Sequence, residues 1–125
     1  MKKAHRTTAH TSLVDAVVQG MQEVKAKDIV DLDLREVPNT VCDHFIICHG
    51  DSTTQVEAIA RSVEKFTLQK AGEKPWHSEG RQRADWILLD YVDVVVHIFL
   101  RDTRAFYALD QLWADAIRNT YENVA

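Results

Sequence analysis

The sequence predicts a mixed α/β or α+β domain, with a single mixed β-sheet of about five strands packed with about three helices. Two patterns carry this prediction. Apolar residues at helical spacing alternate along the chain with short β-branched runs, in the order helix, two strands, helix, three strands, helix. A length of 125 residues is enough for one core and too little for two.

The spacing predicts the first helix from Ser12 to about Lys25. Leu13, Val17, Met21 and Val24 share a face, and Asp15 stands three residues after the capping Ser12. Residues 1–11 are basic, polar and free of acids, and are expected to form a disordered N-terminal tail. They are short for an organelle-targeting peptide. Residues 12–119 would then be one domain, with 120–125 a frayed end.

In "DIVDLDL", Val30, Leu32 and Leu34 alternate with Asp31 and Asp33, the pattern of a half-exposed strand. Its acids would discourage pairing with another chain and suit a sheet edge. Pro38 and Asn39 mark a loop. "HFIICHG" is a strand expected to be buried on both faces. Ser52 and Gln55 then form a capping box for a second helix, with Val56, Ile59, Ala60, Val63 and Phe66 on one face and Gly72 as its stop. "KPWHSEG" is extended. A third helix is expected from Asp102 or Thr103, with Phe106, Leu109, Trp113 and Ala116 on one face.

Between them, Trp86–Phe99 ("WILLDYVDVVVHIF") reads as a hairpin. A two-residue turn at Tyr91–Val92 would set Asp90 opposite Asp93, Leu88 opposite Val95 and Trp86 opposite His97. Valine is a poor residue for such a turn, which points to a wider one. One face of the hairpin, Ile87, Leu89, Val94, Val96 and Ile98, is wholly apolar and must be core. The other holds Trp86, Leu88, Val95, His97 and Phe99, with Asp90 and Asp93 at the rim. Two coverings fit that second face: the protein's own helices, or a partner.

Composition narrows the function classes. No run of about 18 apolar residues exists to span a bilayer. Fifteen Lys and Arg against 19 Asp and Glu leave a net charge of -4, which argues against nucleic-acid binding and for a basic protein partner. Two cysteines without a secretory signal place the chain in a reducing cytoplasm.

Three constellations merit weighing as chemistry. Asp90 and Asp93 could hold magnesium, and "GDS" ahead of a helix is a weak phosphate-binding signal. A nucleotidyl-transferring site needs its carboxylate pair soon after the Gly-Ser turn, where this chain has a helix, so turn residues are the better reading. His44, His49, His77 and His97 with Cys42 and Cys48 show no C-x-x-C or H-x-x-x-H spacing, so no metal or other cofactor is expected. The cysteines lie in or beside a buried strand, where thiols are inert. A binding module is expected, not an enzyme.

Four ordered blocks, "HFIICHGDSTTQVEAIA", Glu79-Gly80, "ADWILLDYVDVVVHIF" and "RAFYALDQLW", resemble the ribosomal silencing factor family, RsfS or Iojap, over residues 12–116. The resemblance implies a nucleotidyltransferase-like fold that lacks the catalytic carboxylates. It also implies binding to the large ribosomal subunit through ribosomal protein fourteen, which blocks joining of the small subunit and represses translation when nutrients are scarce. By motif position it implies partner-binding roles for Glu79, Asp85, Trp86, Asp90, His97, Tyr107, Leu109 and Trp113. The family usually has glycine where this chain has Val92, which puts the turn geometry in question. A third reading is a homodimer that buries the mixed face when no ribosome is present. The alternative is a nucleotidyltransferase-like enzyme using Asp90 and Asp93 with magnesium.

Overall fold

This computed structural model describes residues 2–113 and 115–125, with side chains from Ser12 onward. In chain order these form α1 (Lys2–Glu23), β1 (Lys27–Asp33), β2 (His44–Gly50), α2 (Thr53–Ala71), β3 (His77–Glu79), β4 (Trp86–Asp90), β5 (Val94–Leu100), α3 (Arg101–Tyr107), a 3-10 turn (Leu109–Gln111) and β6 (Ile117–Thr120). The strands make one mixed sheet in the order β3-β4-β5-β2-β1-β6. Among the described strands, β2 and β5 pair in parallel and the other neighbours are antiparallel.

Helices α1 and α2 cover one face of the sheet. Leu13, Val17 and Met21 of α1 and Val56, Ile59, Ala60 and Val63 of α2 pack on Ile46, Cys48, Ile87, Leu89, Val94, Val96 and Ile98. These are the faces the periodicity assigned to the core, and each large aliphatic buried there contributes roughly 1.5–3 kcal/mol. The helices approach so closely that a Cβ on Gly20 would lie 2.7 Å from Val63 Cα. Ser62 Oγ ties the crossing by donating to the Gly20 carbonyl at 2.7 Å.

The predicted caps of α2 are present. Ser52 Oγ accepts from the Gln55 amide at 3.1 Å, and Gln55 Oε1 accepts from the Asp51 amide at 2.8 Å. Gly72 closes the helix in the left-handed region (φ 67).

The structure corrects three expectations. First, β1 is not an edge strand, because β6 pairs along its outer side from Val30 to Asp33. Asp31 is consequently buried, with His44 Nδ1 2.8 Å from its carboxylate. Second, the third helix ends at Tyr107. Ala108 turns left-handed (φ 48), and the chain continues as the 3-10 turn and then β6. The physical cause is Arg104, whose Nη1 donates to the Asp28 carbonyl at 2.8 Å and to His49 Nδ1 at 3.0 Å, while Nη2 reaches Asp110 at 3.3 Å. These anchors hold α3 at the carboxyl end of β2 and pull Asp110 back toward it.

Third, the hairpin register is displaced by two residues. Trp86 pairs with Phe99, Leu88 with His97 and Asp90 with Val95, so the turn is wider than two residues. A shift of two leaves every side chain on its predicted face. Val92 sits in the turn at φ 75, with its amide donated to Asp90 Oδ1 at 2.7 Å. Helix α1 begins at Lys2, ahead of Ser12. Beyond β6, the Tyr121 amide donates to the Ile29 carbonyl, and the Asn123 side chain pairs with Asp28.

Candidate functional site

The sheet face away from α1 and α2 carries a second apolar cluster. Val30, Leu32, Leu34, Cys42, Ile47 and Phe99 are buried in it, with Phe45, Trp86, Val95, Leu109 and Trp113 partly covered around them. The protein covers this face in part, through the segment after β5, and leaves the β4 side open. Of the two coverings weighed from sequence, the protein's own segments supply one over part of the face.

Trp86 occupies the boundary. Its ring centroid is 4.8 Å from that of Phe99, its cross-strand neighbour, and 4.9 Å from that of Tyr107 on α3, which is half exposed. Its Nε1–H donates to Nδ1 of His97 at 3.1 Å. Accepting at Nδ1 places the imidazole proton on Nε2 and requires a neutral ring. Burial enforces that state, pushing the His97 pKa down to about 4. Phe45 then links the two ends of the cluster, edge-on to His97 at 4.9 Å and to Trp113 at 6.0 Å. The buried His97 Nε2 and Trp113 Nε1 have no hydrogen-bond partner among the described residues.

Five of the eight residues singled out by motif, Trp86, His97, Tyr107, Leu109 and Trp113, thus converge on one face. Glu79 joins them from β3, paired in register with Leu88 and lining a groove with Gly80, Trp86 and Leu88. Asp85 lies just before β4; its carbonyl accepts from the Leu100 amide at 2.8 Å and its carboxylate is 3.2 Å from Arg83. Asp90 is at the opposite end of β4, engaged with the turn.

Sequence reasoning missed Phe45 and Gly80. Phe45 belongs with His97 only once β2 is known to pair in parallel with β5, with Ile47 against His97. Gly80 has φ 87, and a Cβ there would lie 1.9 Å from the Trp86 carbonyl oxygen. The signal for it was present in the Glu79-Gly80 block, but its reason is a tertiary approach.

The remaining candidate groups have structural surroundings. Burial pushes both cysteine thiols up to about 12, far from a nucleophilic thiolate. Burial and the neighbouring Arg104 guanidinium lower the His49 pKa. Among the described residues, no group of three His, Cys, Asp or Glu side chains is placed to hold a metal ion. Among the described residues, no helix is long and apolar enough to cross a membrane.

Comparison with known proteins agrees with this architecture. Residues 7–125 match a family model described as "Ribosomal silencing factor during starvation". The chain is 39% identical over 108 residues to the ribosomal silencing factor RsfS of Halalkalibacterium halodurans, covering 86% of this chain and 91% of that one. It is 40% identical over 105 residues to RsfS of Bacillus subtilis, covering 84% and 87%. A crystal structure of a Chromobacterium violaceum protein superposes with a TM-score of 0.76 at 34% identity, over 82% of this chain and 84% of that chain.

Proposed function

This chain belongs to the ribosomal silencing factor family, and on that premise we propose that it is a non-catalytic factor that binds the large ribosomal subunit and keeps the small subunit from joining. The contact is made through ribosomal protein fourteen, and translation falls when nutrients are scarce. The protein acts in the cytoplasm. The observation that carries this reading is the half-covered aromatic face, where Trp86 and the half-exposed Tyr107 sit together at the open side of an otherwise closed cluster. An aromatic pair at the border of a packed apolar patch, rimmed by polar groups, is the anatomy of an interface core.

The partner-binding residues are Glu79, Asp85, Trp86, Asp90, Tyr107, Leu109 and Trp113 at the surface or rim. His97 acts from beneath, through Trp86. The net charge of -4 favours a basic ribosomal protein over ribosomal RNA, because like charge repels the phosphate backbone while complementary charge speeds encounter. Without a ribosome, the same face pairs with a second copy of the chain.

Sedimentation tests the reading. Added protein is expected to co-sediment with large subunits, to be absent from joined ribosomes and to deplete the joined peak. Unchanged subunit joining at saturating protein would refute it. Light scattering at high concentration tests self-association, which a monomer throughout would rule out. Calorimetry with nucleoside triphosphates and magnesium is expected to give no heat; binding would instead favour the enzyme reading.

A further inference from the structure

Glu79 and Trp86 stand across a groove of about 270 Å³ whose other lining residues are Gly80 and Leu88. Gly80 makes this groove possible: with no Cβ, the backbone after β3 comes hard against the Trp86 carbonyl. The groove offers three kinds of surface. Leu88 is an apolar wall. The indole is an aromatic wall whose only donor is already given to His97, so the groove meets a ring and no free N–H. Glu79 supplies the charge, with a side chain 66% exposed and Oε2 held by His77 Nε2 at 2.7 Å. A second carboxylate oxygen, Oε1, remains for another donor.

An aliphatic stem ending in a cation matches all three. The stem lies along Leu88 and the indole, the head group is attracted to the ring, and its N–H donors meet the carboxylate. The chain is acidic as a whole, with a net charge of -4, which favours a cationic occupant. An anionic group would instead strip water from Glu79 with no compensation.

We propose that the Glu79–Trp86 groove is a subsite for an arginine or lysine side chain of a basic protein partner. This deepens the function proposed above and rests on it for the identity of the partner, not for the chemistry of the groove.

Two experiments separate the claims. In the first, the full chain labelled with nitrogen-15 is titrated with N-acetyl-arginine methylamide, and with N-acetyl-norleucine methylamide as the uncharged control. The Trp86 indole and Gly80 amide signals are expected to shift with the arginine compound alone, and Glu79→Gln is expected to remove the shift. In the second, Glu79→Gln is expected to weaken co-sedimentation with large subunits about tenfold, and Glu79→Lys more than that. Absence of a shift in the wild-type protein, or subunit binding by Glu79→Gln equal to wild type, overturns the groove proposal and leaves the silencing function standing. If wild-type protein fails to bind subunits at all, the silencing reading falls, and the titration alone decides the groove.

Discussion

The Trp86 indole donates its N–H to the unprotonated Nδ1 of His97 at 3.1 Å, from β4 to β5. The two residues are not direct cross-strand partners, since Trp86 pairs with Phe99 and His97 with Leu88. The hydrogen bond is therefore diagonal. It holds the indole over Phe99 and beside Tyr107 instead of leaving it free to rotate, which lowers the ordering cost a partner would otherwise meet.

Acid is expected to unlock this arrangement. The His97 pKa is about 4 in the folded chain against an ordinary 6.5, so below pH 6.5 the unfolded chain takes up a proton that the folded chain refuses. The stabilisation is complete above pH 6.5 and is lost as the pH falls toward 4. At roughly 1.4 kcal/mol per pH unit, the loss between pH 6.5 and 5 is about 2 kcal/mol. The lowered pKa of His49 contributes with the same sign. Urea midpoints at pH 7 and pH 5 measure the slope, which should be shallower in His97→Phe; equal slopes would show that His97 does not titrate this way.

Val92→Gly should stabilise the protein. Valine at φ 75 is held in a region that β-branched residues avoid, at a cost on the order of 1–3 kcal/mol, while glycine enters it freely. Glycine makes the unfolded chain more flexible, which offsets part of the gain, so a net rise of about 1 kcal/mol is expected. The side chain is 59% exposed, so little packing is lost. An unchanged or lower denaturation midpoint would count against strain in the turn.

Gly20→Ala should do the opposite. Its Cβ would meet Val63 Cα at 2.7 Å and the Ser62 carbonyl at 2.9 Å, both backbone atoms that cannot step aside. Forcing α1 from α2 also stretches the Ser62 to Gly20 hydrogen bond, and a loss of roughly 1–3 kcal/mol follows. Thermal denaturation checks this, and wild-type stability in the variant would mean that the helices pack less closely.

Trp86→Ala should separate binding from folding. The ring is half-buried and packed on Phe99, so stability falls, yet the main core under α1 and α2 does not include it. Circular dichroism should keep its native form while affinity for large subunits drops by more than about 2 kcal/mol, close to thirtyfold. A variant that unfolds would make Trp86 a core residue and remove it as the interface anchor.

Particular residues show how far the chain could be read in advance. Ser52, Gln55 and Gly72 set the limits of α2 through bonds within a few residues, and were visible as local signals. The two faces of β4 and β5 depend only on alternation, which survived the two-residue register shift. The convergence of Trp86 and His97 followed from that parity. Tyr107, Leu109 and Trp113 were named by motif resemblance, but the helix that was to carry them breaks at Ala108. Phe106, expected beside Leu109 and Trp113 on one helical face, is left 81% exposed.

What the sequence determined by itself was local and periodic: caps, helix faces, strand alternation, the excess of acid. Tertiary structure decided what depends on distant partners. β6 closes the outer side of β1 and buries Asp31, Arg104 reaches the Asp28 carbonyl 76 residues away and breaks α3, and Gly80 admits the Trp86 carbonyl beside it. Each of these rests on a contact between segments far apart in the chain, or on a backbone approach, and neither leaves a periodic trace in the sequence.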